Sequence, residues 1–129
     1  MPTFLIADDS PLKRMLLQGM LKKHGWSGEI VTATTTEDAM REIDQHPDIG
    51  FAFIDYYMPS KNGPAVIAYL KHKNPTARIA LVSSADNHEN ETEAREAGAE
   101  TAICTSYPAD EVEQRLKEVL GEWGAIILP

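Results

Sequence analysis

The stretch Ile49–Gly63, IGFAFIDYYMPSKNG, decides the fold. Its apolar run, Phe51-Ala52-Phe53-Ile54, stops on the carboxylate of Asp55. A turn-rich segment, Tyr56-Tyr57-Met58-Pro59-Ser60-Lys61-Asn62-Gly63, follows. A run apolar on both faces fits a central parallel strand covered on both sides. A buried strand that ends on an acid and opens into a loop is where α/β proteins place their chemistry. Asp55 is therefore the first candidate for a reactive residue.

Upstream, Thr3–Ala7 is another short apolar run, and it ends on Asp8-Asp9. Ser10-Pro11 starts a helix, with Ser as cap and Pro at the first helical position. Leu12, Leu16, Gly19 and Met20 share one face, with Met15 beside them, and His24-Gly25 closes the helix. Glu29–Ala33 is rich in β-branched residues and reads as a strand. Thr36 caps the next helix, which turns Ala39, Met40 and Ile43 inward.

Downstream, Gly63-Pro64 opens a helix with Val66, Ile67 and Leu70 as its apolar side. Arg78–Val82 is a strand ending on Ser83-Ser84. The helix over Asn87–Ala97 offers only Ala94 and Ala97 for burial, so its local stability is expected to be marginal. Thr101–Cys104 is a short strand followed by Thr105-Ser106, and a last helix aligns Val112, Leu116, Val119 and Leu120. One domain is expected over residues 1–123. The apolar tail, 124–129, either caps the last helix against the sheet or makes a dimer contact.

The 129 residues suit a single core, and 43% hydrophobic with 25% charged is ordinary globular composition. A net charge of −8 argues against a nucleic-acid interface and leaves cation binding open. The single cysteine, Cys104, cannot form an internal disulfide and reads as a small core residue. The four histidines show no metal-ligand spacing. The N-terminus lacks signal-peptide character and no apolar run reaches the ~20 residues of a membrane span, so a reducing cytoplasm is the expected location.

Alternating strands and helices imply a parallel sheet with right-handed crossovers and ligands at the carboxyl ends of the strands. That rule selects Asp8, Asp9, Asp55, Ser83, Ser84 and Thr105. Three carboxylates in one crevice repel each other, and a divalent cation relieves the conflict. An all-oxygen set favours Mg²⁺, Mn²⁺ or Ca²⁺. A carboxylate can also attack phosphorus, with a hydroxyl such as that of Ser83 bonding a phosphoryl oxygen. Taken singly, Asp8-Asp9 would only favour the positive end of the first helix, and Asp55 would only cap a loop.

In that order and spacing the residues resemble the receiver domain of bacterial two-component response regulators. The resemblance is carried by the Asp8-Asp9 pair, Asp55 with Met58-Pro59 and Gly63, Ser83, and Ala97-Gly98-Ala99 before the fifth strand. It covers almost the whole chain. It implies a doubly wound, flavodoxin-like three-layer α/β/α fold with five parallel strands in order 2-1-3-4-5. It implies Asp55 as phosphoacceptor, fed by a histidine kinase or phosphotransfer protein in a phosphorelay. It implies Mg²⁺ (or Mn²⁺) held by Asp9 and Asp55, by Asp8 through water and by the Tyr57 backbone carbonyl. Ser83 matches the switch hydroxyl. Such a chain is a signalling domain, catalysing only its own phosphoryl transfer and hydrolysis and acting on a downstream protein or output domain.

Two positions depart from the family pattern. The family usually carries Lys-Pro after the fifth strand, where this chain has Thr105-Ser106. Thr cannot supply a cation to a phosphoryl oxygen. The aromatic switch position is Ala102. Lys61, in the loop after Asp55, is one expected substitute for the lost charge. The alternative expectation is a degenerate receiver-like scaffold that binds proteins without phosphorylation. A metal-dependent phosphatase fits poorly, because that class places a second Asp two residues after its nucleophile.

Overall fold

Alternation along the central strands sorts the apolar residues into two layers. In β1 (Thr3–Ala7), Leu5 and Ala7 face one side while Phe4 and Ile6 face the other. In β3 (Ile49–Ile54), Ala52 and Ile54 oppose Phe53. In β4 (Arg78–Ser83), Ile79 and Leu81 oppose Ala80 and Val82. With both faces apolar, the sheet must be covered on both sides.

The computed structural model describes residues 2–127. The chain continues through α1 (Pro11–Lys23), β2 (Ile30–Ala33), α2 (Thr36–Gln45), α3 (Gly63–Lys73), α4 (His88–Ala97), β5 (Thr101–Cys104) and α5 (Ala109–Glu122). All strand pairs are parallel, in the order β2-β1-β3-β4-β5. The fold is the doubly wound one expected from the sequence. Helices α2, α3 and α4 cover one face through Ala39, Ile43, Val66, Ile67, Leu70 and Ala94. Helices α1 and α5 cover the other, where Phe4, Trp26, Phe51, Phe53 and Trp123 pack together, Phe51 stacked on Trp123 and Phe4 edge-on to Trp26 and Phe53.

Four local readings change. The cap of α2 is Thr35, whose side chain accepts from the Asp38 amide; Thr36 is already helical and buried. Residue Glu29 precedes β2, and its carbonyl accepts from the Phe4 amide. Cys104 is half-buried on the edge strand rather than in the core, with its sulfur against Ser106 Oγ. The largest change concerns α1. Leu12 is 77% and Met15 70% exposed, while Leu17 and Leu21 enter the core. Of the apolar stripe seen in the sequence, Leu12, Met15 and Leu16 therefore face outward, while Met20 packs against the core. From the tail, Ala125 and Ile126 are buried beside Trp123, and Ile127 is exposed; Leu128 and Pro129 lie outside the described residues.

Candidate functional site

Strand register carries the acids to one place. The Asp55 amide donates to Ala7 O at 2.9 Å, so β3 extends the ladder until its last acid lies beside the Asp8-Asp9 corner. One ligand oxygen from each of Asp8, Asp9 and Asp55 lies within 4.8 Å of the others. Asp8 and Asp55 are buried, and Asp9 is exposed. Asp8 Oδ1 accepts from the Ser10 amide at 2.9 Å, and Ser10 in turn caps α1. Asp8 Oδ2 is buried and has no aligned hydrogen bond, and the Lys13 ammonium lies 2.8 Å from it as an ion pair. A dehydrated carboxylate oxygen inside an all-oxygen acidic cluster suits a hard cation such as Mg²⁺ or Mn²⁺.

Among the described residues the Asp55 carboxylate accepts two hydrogen bonds, both at Oδ1: from the Tyr56 amide at 2.9 Å and from Lys13 Nζ at 3.1 Å. Its Oδ2 makes no hydrogen bond among the described residues. Burial pushes the Asp55 carboxyl above its ordinary range; the Lys13 charge pulls it back, and the Asp8 charge adds to the rise.

Lys13 lies in the site, and sequence reading missed it. Its ammonium lies 2.8 Å from Asp8 Oδ2, 3.1 Å from Asp55 Oδ1 and 2.6 Å from Val82 O. Only 11% of its side chain is exposed. The signal was present: Lys13, Leu17 and Leu21 are spaced four apart, so Lys13 continues the row that enters the core. Lys61, the substitute expected from the sequence, is exposed in the loop, where its charge acts on Glu37.

The loop after Asp55 is fixed at several points. The Gly63 amide donates to Tyr56 O at 2.7 Å. The Thr36 hydroxyl donates to Lys61 O at 2.6 Å and lies 3.3 Å from Pro59 O. Ser60, in the left-handed region at φ 84°, bonds Glu37. Met58 is buried. The Tyr56 hydroxyl donates to Glu93 at 2.9 Å, and Asn90 donates to the Tyr57 hydroxyl at 3.1 Å, so two adjacent tyrosines join this loop to α4. The carboxylate of Glu93 raises the Tyr56 hydroxyl's pKa.

Ser83 ends β4, and its Oγ accepts from the Ala85 amide at 3.2 Å. Ser84 is exposed. Thr105 bonds the end of β5 to the end of β4: its amide donates to Ser83 O at 2.9 Å, with its hydroxyl 3.4 Å from the same oxygen. Ala102 is half-buried and borders a cavity of about 210 Å³ between β5 and the loop leading to α4. Tyr107 lies on that cavity and bonds Asp86. On the other side of Lys13 runs a groove of about 610 Å³, lined by Leu12, Met15, Leu16 and Met20 and reaching Thr105.

A family model described as response regulator receiver domain matches residues 4–117. The glycerol metabolism activator of Pseudomonas putida is 26% identical over 125 residues, covering 97% of this chain and 56% of that one. This chain spans about half the length of such curated relatives. The Mn²⁺-bound form of response regulator Rcp1 superposes with a TM-score of 0.81 at 18% identity, covering 100% of this chain and 99% of that one. Response regulator TrrA from Thermotoga maritima, in complex with Mg²⁺ and BeF, gives a TM-score of 0.75 at 27% identity, covering 93% of this chain and 100% of that one.

Proposed function

The chain belongs to the response regulator receiver domain family, and from that premise we propose that it accepts a phosphoryl group on Asp55 from a phosphohistidine. The observation that supports this most is the convergence of Asp8, Asp9 and Asp55, with Asp55 Oδ2 making no hydrogen bond among the described residues. A carboxylate oxygen attacks phosphorus, the O–P bond forms and the N–P bond breaks. The imidazole nitrogen keeps the electron pair and takes a proton from water. Asp9 and Asp55 would hold Mg²⁺ or Mn²⁺ through their carboxylates, with Asp8 assisting through water and the Tyr57 carbonyl as a further oxygen. When bound, such an ion neutralises charge on the transferring group. Attack by water on the acyl phosphate restores Asp55. Ser83 trades its Ala85 bond for a phosphoryl oxygen.

The donor is a histidine kinase or a phosphotransfer protein. The outward apolar face of α1, with Leu12 and Met15 exposed beside the crevice, supports a docking helix there. Output passes to a downstream protein or output domain. A cytoplasmic site of action fits the thiol of Cys104; among the described residues no helix is long and apolar enough to cross a membrane. Thr105 and Ala102 favour a second reading, a scaffold that binds partners without phosphorylation.

Intact-mass analysis after incubation with a small phosphodonor separates the two. Wild type with Mg²⁺ is expected to gain one phosphate, and neither the EDTA-treated protein nor Asp55→Asn should. No adduct on wild type would rule out the phosphoacceptor reading and leave the scaffold.

A further inference from the structure

We propose that Lys13 is the pocket's cation, moved from the end of β5 to the first turn of α1, and that it doubles as the resting counter-ion that a divalent metal must displace. This rests on the phosphoacceptor reading above. Three observations lead to it. The residue after β5 is neutral, and Thr105 is spent on Ser83 O. The Lys13 ammonium instead contacts Asp8 and Asp55, two of the three acids of the cluster. Lys13 and Thr105 border the same groove, so a side chain from either position approaches the pocket from one side.

The arrangement has a consequence that a lysine holding Asp55 alone would lack. Lys13 bridges Asp8 Oδ2 and Asp55 Oδ1, and a metal entering the cluster would need an oxygen of Asp55 and, for its water, an oxygen of Asp8. Ammonium and metal therefore compete. The third contact, to Val82 O, leaves the displaced ammonium an anchor next to Ser83. From there its flexible four-carbon stem reaches a phosphoryl oxygen on Asp55. Charge balance supports the exchange: three carboxylates with one lysine leave the pocket net negative, which attracts a dication without requiring that Lys13 leave the protein's interior.

The test uses Lys13→Met, Lys13→Gln and the double variant Lys13→Met/Thr105→Lys, each checked for folding by circular dichroism. The first readout is Mg²⁺ titration without phosphodonor, followed by amide chemical shifts. Lys13→Met and Lys13→Gln are expected to bind Mg²⁺ at least about tenfold more tightly than wild type, the factor that one charge-assisted contact is worth. The second readout is the phosphorylation rate at saturating Mg²⁺ with a small donor. Lys13→Met should slow it by about tenfold or more, and Thr105→Lys should restore it. A lysine that merely braces α1 would change neither metal affinity nor rescue. Unchanged Mg²⁺ affinity in both single variants overturns the proposal, whatever the phosphorylation result. If wild type takes no phosphate, the phosphoacceptor reading fails, and the titration still decides whether Lys13 competes with metal.

Discussion

Replacing Gly63 by Ala should damage both stability and phosphorylation, because the backbone that carries Asp55 passes directly over it. A Cβ at residue 63 would lie 2.0 Å from Asp55 O and 3.0 Å from Asp55 C. Real Cβ contacts essentially never fall below 3.0 Å, so the β3–α3 corner must open by at least about 1 Å. The neighbouring groups are backbone and the buried Ile54, which cannot swing aside as a surface side chain would. Overpacking of this kind costs about 1–3 kcal/mol. At ~3–5 °C per kcal/mol for a domain of this size, Tm should fall by roughly 3–15 °C. Displacing a reacting group by about 1 Å costs on the order of 100-fold in rate. Gly19→Ala is the matched control, since its Cβ meets nothing within 4 Å and the site lies in the middle of α1. It should raise stability by about 0.5–1 kcal/mol. Thermal unfolding by circular dichroism and the small-donor phosphorylation rate measure both. Gly63→Ala with wild-type Tm and rate, or Gly19→Ala equally harmful, would refute the reasoning.

Two further outcomes are expected. Burial raises the Asp55 carboxyl, so its contribution to stability is full below the unfolded carboxylate value of about 3.9 and is lost as pH rises through the higher folded value. Without divalent metal, Asp55→Asn should therefore melt higher than wild type at pH 7, with the gap closing near pH 4; a lower Tm at pH 7 contradicts this. Tyr56→Phe removes the bond to Glu93 and should cost about 0.5–1 kcal/mol, discounted for the exposed carboxylate. Its effect should concentrate in α4, where Ala94 is the one fully buried side chain, and hydrogen exchange should show α4 less protected than α1 and α5 in wild type and weaker still in the variant. Equal protection of the three helices would count against it.

The fold was legible because its signal is local. Runs such as Phe51–Ile54 are apolar on both faces and stop on acids, and parallel strands of that kind leave few alternatives. The carboxylates at Asp8, Asp9 and Asp55 followed from strand ends alone, and the structure gathers them within 4.8 Å. What escaped was the direction of α1. Leu12, Met15 and Leu16 form the more obvious apolar stripe, yet they face solvent, and the core takes Leu17 and Leu21. That single rotation hid Lys13, because a lysine on the supposed outer face looks solvated. Periodicity finds an apolar stripe but not what it packs against. Lys61 is close to Asp55 only in sequence, and its side chain is exposed. The Thr35–Thr36 exchange is of the same kind: either residue can cap, and only the bonds from Thr36 to Lys61 O and Pro59 O decide.

On the proposed function a phosphoryl group arrives on Asp55 itself. Borohydride reduces an aspartyl phosphate to homoserine, so trapping after reaction with a small phosphodonor and Mg²⁺, followed by peptide sequencing in the mass spectrometer, reads the position directly. Homoserine is expected at residue 55 and at neither Asp8 nor Asp9. Homoserine at one of those two, or a phosphate that resists borohydride and maps to Ser83, would contradict it.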